Sequence, residues 1–170
     1  MKLFWFRIST LLMLICIAGC GGSGSTAGTG NTVSIQASLQ VGAPGVIFAT
    51  TSSATSTAFT IDSTTFPTNG TIPNSNVNIN RISYRYVPNS TGAPAFTPTV
   101  TSISYSGVIT PGGSLDIENF PILWPQDYAL FADACNGNNF QYDVTVTFSG
   151  IEVNTGTALS TNANISVLCF

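Results

Sequence analysis

Side chains able to carry out catalysis are few in this 170-residue chain, and their types exclude most enzyme classes. Histidine is absent and the only lysine is Lys2, so His-based triads, Ser–Lys dyads and Schiff bases are excluded from the rest of the chain. Asp116 and Glu118 could form a glycosidase-type carboxylate pair. Because they alternate with Leu115 and Ile117, we interpret them as solvated charges on the outer face of a strand. We therefore expect no enzyme, with a carboxylate-based hydrolase or carbohydrate-binding module as an alternative.

Hard oxygen ligands are concentrated in one stretch of the chain, and calcium takes six to eight such ligands. The candidates are Asp127, Asp133, Asn136, Asn138, Asn139 and Asp143. Their spacing does not match an EF-hand, and turn chemistry explains the Asn-rich run equally well. We expect no cofactor, with calcium as the one candidate ion.

The four cysteines divide into two groups. Cys16 and Cys20 belong to the N-terminal segment, which leaves Cys135 and Cys169 as an even pair. In an oxidising compartment such a pair forms a disulfide by default, and two buried thiols are the alternative. The loop of about 34 residues gives a stabilisation of roughly 4 kcal/mol in the chain-entropy account.

The N-terminal segment has the layout of a secretory signal peptide. Lys2 and Arg7 precede an apolar run at 8–17, and small residues follow it. A membrane-spanning helix needs roughly 20 apolar residues, and this run is shorter. Plain secretion and a spanning anchor are the alternatives to a cleaved lipoprotein leader.

The sequence Ile17-Ala18-Gly19-Cys20 resembles the lipobox of bacterial lipoproteins. The resemblance implies cleavage before Cys20 and acylation of that residue with fatty acids such as palmitate. Several acyl chains anchor a protein stably to a membrane. Gly21 after the cysteine favours the outer membrane over the inner membrane. The expected location is the cell envelope, with the N-terminal lipid in the membrane.

Composition divides the chain into three parts. These are a signal peptide at 1–19, the lipidated cysteine with a Gly/Ser-rich tether at 20–31, and a folded domain at 32–170. A flexible chain of about eleven residues has a typical reach of roughly 20 Å. The tether is therefore long enough to hold the domain clear of the lipid headgroups.

Charge is sparse beyond the leader, where Arg81 and Arg85 are the only cations against seven acids. Loss of Lys2 and Arg7 with the leader changes the net charge from −3 to −5. Without a basic surface the protein is not expected to bind nucleic acid or to dock electrostatically on anionic lipid. Abundant aromatic and β-branched residues favour a folded chain over a disordered one.

Apolar residues alternate with polar ones along most of the domain, which predicts strands. The strands are predicted at 33–41, 57–61, 77–87, 100–109, 114–117, 142–148 and 163–169, with one short helix at 126–134. Pro111-Gly112-Gly113 supplies turn chemistry between two of them. The predicted fold class is all-β, a single antiparallel β-sandwich of about seven strands.

The C-terminal part resembles fibronectin type III and immunoglobulin-like domains. Residues 142–146 (Tyr-Asp-Val-Thr-Val) are similar to the F strand of that family, with Tyr142 at the place of the tyrosine-corner residue. Residues 82–86 (Ile-Ser-Tyr-Arg-Tyr) are similar to the C strand. The sequence departs from the family in lacking an early tryptophan, since Trp124 lies in a later loop, and in the positions of its cysteines.

The densest apolar stretch of the domain is at 120–131, and it has two interpretations. It either crosses between sheets and fills the core, which we favour, or forms an exposed patch for a partner. In the second case Trp124, Tyr128 and Phe131 are the partner-binding candidates. Tyr84, Tyr86 and Tyr105 are likewise expected to pack in sheets, with a sugar-stacking surface as the alternative.

The leading functional expectation is a membrane-anchored envelope lipoprotein with a non-catalytic interaction or structural domain. One alternative is an accessory subunit of an outer-membrane complex that docks through 120–131. Beyond the membrane, the expected partners are an envelope protein or a surface glycan.

Overall fold

The structure, a computed structural model, describes residues 31–50, 54, 56–67 and 72–169. The predicted signal peptide, Cys20 and all but the last residue of the predicted tether lie outside the described residues. The strands are β1 (Val33–Leu39), β2 (Val46–Ala49), β3 (Thr57–Thr65), β4 (Val77–Pro88), β5 (Ser102–Ile109), β6 (Ser114–Phe120), β7 (Gln141–Glu152) and β8 (Ala158–Cys169). A 3₁₀ turn at Pro125–Asp127 leads into helix α1 (Tyr128–Cys135). In the described part of the chain no helix has the length and apolar character needed to span a membrane.

The strands form two sheets, which confirms the all-β prediction. One sheet has the order β1-β3-β6 and the other has the order β2-β8-β7-β4-β5. All pairs are antiparallel except β2 with β8, which is parallel. The structure thus corrects two details of the prediction, because the described residues form eight strands and one parallel pair. The strand absent from the prediction is β2, which has only four residues.

Alternation along the strands builds the core between the sheets. In β7, Tyr142, Val144, Val146 and Phe148 are fully buried and the residues between them face outward. The ring of Phe148 lies 5.3 Å from that of Phe59 on the opposite sheet, edge to face. Such an aromatic pair contributes about 1 kcal/mol beyond the area it buries.

A bulge interrupts β4 at Asn80. Against β7 the register shifts between Ile79 and Arg81, so Asn80 is the extra residue there. Against β5 the same shift leaves Tyr105 and Ser106 opposite Asn80. Asn80 and Arg81 are consecutive yet both exposed. Opposite the bulge, a Cβ atom on Gly150 would lie 2.5 Å from the carbonyl oxygen of Asn78, so only glycine fits there.

The predicted disulfide is confirmed. Cys135, at the end of α1, is bonded to Cys169, the last residue of β8, with their Cα atoms 6.0 Å apart. Asn136 ends the helix in a left-handed conformation with φ of 47°, and its amide donates to the carbonyl of Ala132. The bond therefore fixes the helix to the five-stranded sheet.

The long strands define two ends of the molecule. At the Thr32 end are the start of β1, residues 72–76 and the β7–β8 turn. At the disulfide end are the β4–β5 loop, α1 and the Cys135–Cys169 bond. Because β4, β7 and β8 each have 12 residues, about 40 Å separates the two ends.

Candidate functional site

The apolar stretch at 120–131 is part of the core, as the favoured interpretation held. Phe120, Ile122, Leu123 and Phe131 are each at most 5% exposed. The ring of Phe131 lies 5.2 Å from that of Tyr142. The interpretation of Phe131 as a partner contact is wrong, because α1 turns this side chain into the end of the core.

The other two partner-binding candidates are half-buried. Tyr128 packs against the core, and the indole nitrogen of Trp124 is buried. Leu130 is the large apolar side chain of this stretch that is clearly exposed, at 48%. The stretch thus presents an isolated side chain rather than a contiguous apolar patch, and docking through 120–131 finds no support.

Asp127 lies inside the disulfide end and is fully buried. Its Oδ1 accepts hydrogen bonds from the amide of Thr99, at 2.8 Å, and from the Thr99 hydroxyl, at 2.6 Å. Its Oδ2 has no partner among the described residues. The Tyr84 hydroxyl and the Trp124 indole nitrogen lie near each other but form no hydrogen bond of ordinary geometry with a described residue. We call Asp127, Tyr84 and Trp124 the Asp127 cluster. Of the four buried polar atoms in this cluster, only Oδ1 of Asp127 has hydrogen-bond partners of ordinary geometry among the described residues.

Three buried tyrosines have raised pKa values. Loss of hydration raises the pKa of Tyr84 well above its usual value, and the neighbouring Trp124 offsets this in part. Burial also raises the pKa of Tyr86, and the nearby Tyr84 and Asp127 add to the increase. Burial likewise raises the pKa of Tyr142. Each hydroxyl therefore stays protonated in the folded chain beyond the pH at which a free tyrosine ionises.

Two of these hydroxyls fasten loops to the core. Tyr86 donates to the carbonyl of Ile122, and Tyr142 donates to the carbonyl of Pro94 at 3.1 Å. A tyrosine corner would bond to backbone a few residues upstream, whereas Pro94 precedes Tyr142 by 48 residues. Tyr142 therefore does not make the hydrogen bond that defines a tyrosine corner, and that prediction is wrong. Since Tyr84 and Tyr86 are buried, they also provide no surface on which a sugar could stack.

The calcium candidates are not assembled into a site. Asp127 is bonded to Thr99, whereas Asp143 is exposed on β7 and accepts a hydrogen bond from the Ser166 hydroxyl at 3.1 Å. Asp133 is exposed on α1. Over the described ranges, no group of three or more His, Cys, Asp or Glu side chains is placed to hold a metal ion.

The Asn-rich run after α1 follows turn chemistry instead. Asn136 ends the helix, and the side-chain amide of Asn138 donates to the carbonyls of Cys135 and Asn136 at 3.2 Å each. These hydrogen bonds engage the side-chain amide of Asn138 and two backbone carbonyls within the turn itself. We therefore correct the calcium interpretation of Asp127, Asp133, Asn136, Asn138 and Asp143 and do not propose calcium binding.

A second buried acid, Glu152, lies at the Thr32 end and was not singled out from the sequence. It is fully buried and accepts hydrogen bonds from the Thr32 amide, the Thr32 hydroxyl, the Ser75 hydroxyl at 3.3 Å and the Thr155 hydroxyl at 3.0 Å. We call these four residues the Glu152 cluster. The sequence contained a usable signal, since Glu152 continues the alternation that buries every second residue of β7.

Glu152 forms no ion pair with a described residue. The cost of burying its carboxyl group is offset by the hydrogen bonds that Thr32, Ser75 and Thr155 donate to it. Because Thr32 is the first residue of the predicted domain, this cluster fixes the place where the chain enters the sheets.

The exposed carboxylates Asp116 and Glu118 are two residues apart on β6. Asp116 and Glu118 both face outward on the three-stranded sheet, as predicted, and Asp116 accepts a hydrogen bond from the Thr60 hydroxyl at 2.6 Å. Glu118 borders a depression of about 370 Å³ in which no other described lining residue is acidic. A glycosidase needs two carboxylates flanking one bond of the substrate, so this arrangement does not support hydrolysis.

Arg81 and Arg85 lie on the outer face of the five-stranded sheet, and both are exposed. In register with Arg81 are Ser104 on β5 and Ser149 on β7, followed by Ser160 on β8. Arg81 borders a depression of about 620 Å³ on this face. Because the exposed guanidinium of Arg81 lies beside this depression, the outer face of the five-stranded sheet is the candidate binding site.

Comparisons with protein-family models, with curated proteins and with solved structures find no match to this chain.

Proposed function

We propose that the protein is a lipid-anchored lipoprotein of the cell envelope whose immunoglobulin-like β-sandwich domain has a non-catalytic interaction or structural role. The observation that carries the proposal is the position of Thr32, held by Glu152 at one end of the sheets. The predicted lipid and tether precede this residue. A membrane on this side leaves the disulfide end, about 40 Å away, pointing outward.

Strand order supports the immunoglobulin-like assignment. The order β8-β7-β4-β5 is that expected for strands G, F, C and C′ of such a domain, and β1-β3-β6 is that expected for A, B and E. Under this assignment β4 and β7 are the C-like and F-like strands of the resemblance, and they are paired along 11 residues of each.

Burial of the acids supports a role without catalysis. Asp127 and Glu152 are both fully buried and bonded to neighbouring threonines. Neither offers a carboxylate to a substrate. Gly21 after the lipobox cysteine favours the outer membrane over the inner one.

The anchor is tested by two matched substitutions in the leader of the full chain. Cys20→Ser removes the thiol that acylation requires, so we expect an unprocessed precursor that carries no lipid. Cys16→Ser changes an equally small residue within the apolar run, and the protein should still be processed and remain in the membrane fraction. Metabolic labelling with a palmitate analogue, followed by fractionation, distinguishes the two. Normal processing and labelling of Cys20→Ser would overturn the proposal.

A further inference from the structure

We propose that the outer face of the five-stranded sheet binds an anionic polysaccharide, one that carries carboxylate or phosphate groups, with Arg81 as its main contact. The inference deepens the proposed interaction role, on which it rests, and names the ligand class. It assigns the site to the depression beside the β4 bulge.

The bulge gives Arg81 its position. In a regular strand consecutive residues face opposite sides, so Asn80 and Arg81 could not both face solvent. The extra residue in β4 places both side chains on the outer face, beside Gly150. A guanidinium and a side-chain amide thus project together from the middle of the sheet.

The depression beside the bulge has the chemistry of a saccharide site. It has a volume of about 620 Å³, and Asn80, Arg81, Ser104, Ser149 and Ser160 supply its polar lining. Hydroxyl and amide groups both donate and accept hydrogen bonds, as the hydroxyls of a sugar require. Ile151 and Ala158 add an apolar rim against which the carbons of a sugar ring can pack.

The polar surface continues beyond the depression in rows across the sheet. Ser102, Ser83, Thr147 and Asn162 form the next row in register. Neighbouring strands lie about 4.8 Å apart and residues on one face repeat about every 7 Å along a strand. Such a repeating array suits a polymer of repeating sugars better than a single small ligand.

The chain as a whole is acidic, but the residues next to Arg81 favour an anionic group at this depression. Arg81 forms no ion pair with a described acid and has only serines beside it in register. Guanidinium groups bind carboxylate and phosphate in a bidentate geometry. The outward acids Asp62, Asp116 and Glu118 lie on the other sheet, so they do not oppose an anion at this face.

Arg85 provides a matched control on the same strand. It lies four residues from Arg81, about 13 Å along β4, and outside the depression. Its partner in register is Thr145, and Asp143 is the diagonal neighbour two positions further along β7. An acid near Arg85 weakens its attraction for an anion, whereas Arg81 has no such neighbour.

The experiment uses the chain from residue 21, which retains every described residue, and measures binding to immobilised polymers at low ionic strength. The probes are polygalacturonate, a phosphate-bearing mannan, neutral dextran and polyglutamate. We expect binding to at least one of the first two and none to dextran. Preference between those two tells whether carboxylate or phosphate is the recognised group.

Arg81→Gln should weaken that binding by about tenfold or more, because a charge-assisted bidentate contact is lost. Arg85→Gln removes the same charge and should weaken binding by less than about threefold. Arg81→Lys should give an intermediate loss. Arg81 and Arg85 are both exposed, so unchanged thermal unfolding of the three variants serves as the folding control.

The inference is overturned if neither anionic polysaccharide binds, if Arg81→Gln and Arg85→Gln weaken binding equally, or if polyglutamate binds as well as the polysaccharides. Equal weakening would indicate non-specific attraction, and binding of polyglutamate would indicate an acidic peptide. These outcomes are independent of the Cys20 experiment, since the chain from residue 21 carries no anchor.

Discussion

The two fully buried acids are at opposite ends of the molecule, and they are engaged very differently. Both oxygens of Glu152 accept hydrogen bonds, and the donors come from three segments of the chain. Asp127 uses one oxygen for Thr99, whereas the other has no partner in the described part of the chain. Both carboxylate oxygens therefore accept hydrogen bonds at the Thr32 end, whereas only one of the two does so at the disulfide end.

This difference indicates how each end is held together. At the Thr32 end, polar bonds to one carboxylate join β1, residues 72–76 and the β7–β8 turn. At the disulfide end, a covalent bond and a set of aromatic contacts hold α1, and the polar atoms contribute less. Substitution of the buried acid should therefore destabilise the protein more at the Thr32 end than at the disulfide end.

The largest effect is expected from the disulfide. Replacing Cys135 and Cys169 together by alanine should lower the free energy of unfolding by about 4 kcal/mol, because the bond closes a long loop. Urea unfolding of the chain from residue 21 measures this loss. Reducing agent should destabilise the parent chain similarly and have no effect on the double variant. An unchanged midpoint would show that aromatic packing alone holds α1.

The acids themselves give the sharpest test of the comparison. Glu152→Gln replaces an acceptor by a donor that faces hydroxyl donors, so we expect a loss of about 3 kcal/mol. Asp127→Asn keeps the oxygen that Thr99 needs and alters the oxygen without a partner, so we expect a loss below about 1 kcal/mol. Both changes conserve volume and are measured by urea unfolding. Equal losses would remove the distinction between the two ends.

Alkaline pH should act on the disulfide half of the molecule, where Tyr84, Tyr86 and Tyr142 have raised pKa values. In the unfolded chain these groups ionise near pH 10, whereas in the folded chain they stay protonated. Their contribution to stability is therefore complete below about pH 10 and is lost as the pH rises further. Tyr86 alone accounts for at most about 1.4 kcal/mol per pH unit in that range.

Urea unfolding at a series of pH values, with tyrosine ionisation followed by absorbance, checks this expectation. Ionisation of the three buried tyrosines should coincide with unfolding. If they ionised fully while the chain remained folded, their burial would be contradicted.

The smallest effects separate two tyrosines of the same strand. Tyr86→Phe removes the bond to the carbonyl of Ile122 and should cost about 1 kcal/mol. Tyr84→Phe removes a buried hydroxyl whose polar neighbour is the Trp124 indole, without a hydrogen bond of ordinary geometry, and should cost less than Tyr86→Phe. Thermal or urea unfolding of both variants measures the difference. A larger loss for Tyr84→Phe would show that its hydroxyl is engaged.

Much of the fold could be predicted from the sequence because alternation is a local signal. Strands β4 and β7 were predicted from it, and so was the outward position of Asp116 and Glu118. Strand β2 was missed because four residues after Pro44 and Gly45 are too short for a pattern. Its parallel pairing with β8 depends on contacts distant in sequence.

The polar clusters were harder to predict. Asp127 was grouped with nearby oxygens in sequence, although its actual partner is Thr99, 28 residues earlier. Glu152 was missed because a charged residue normally ends a buried pattern, whereas here Thr32 and Ser75 stabilise it from 120 and 77 residues away. Hydrogen bonds between such distant segments leave no mark in local spacing.

The central functional claim is that lipid attached to Cys20 holds the Thr32 end at a membrane. Mass spectrometry of the N-terminal peptide from the protein isolated from membranes tests it most directly. We predict a peptide that begins at Cys20 and carries acyl chains on that residue. A peptide that begins elsewhere, or an unmodified Cys20, would contradict the claim.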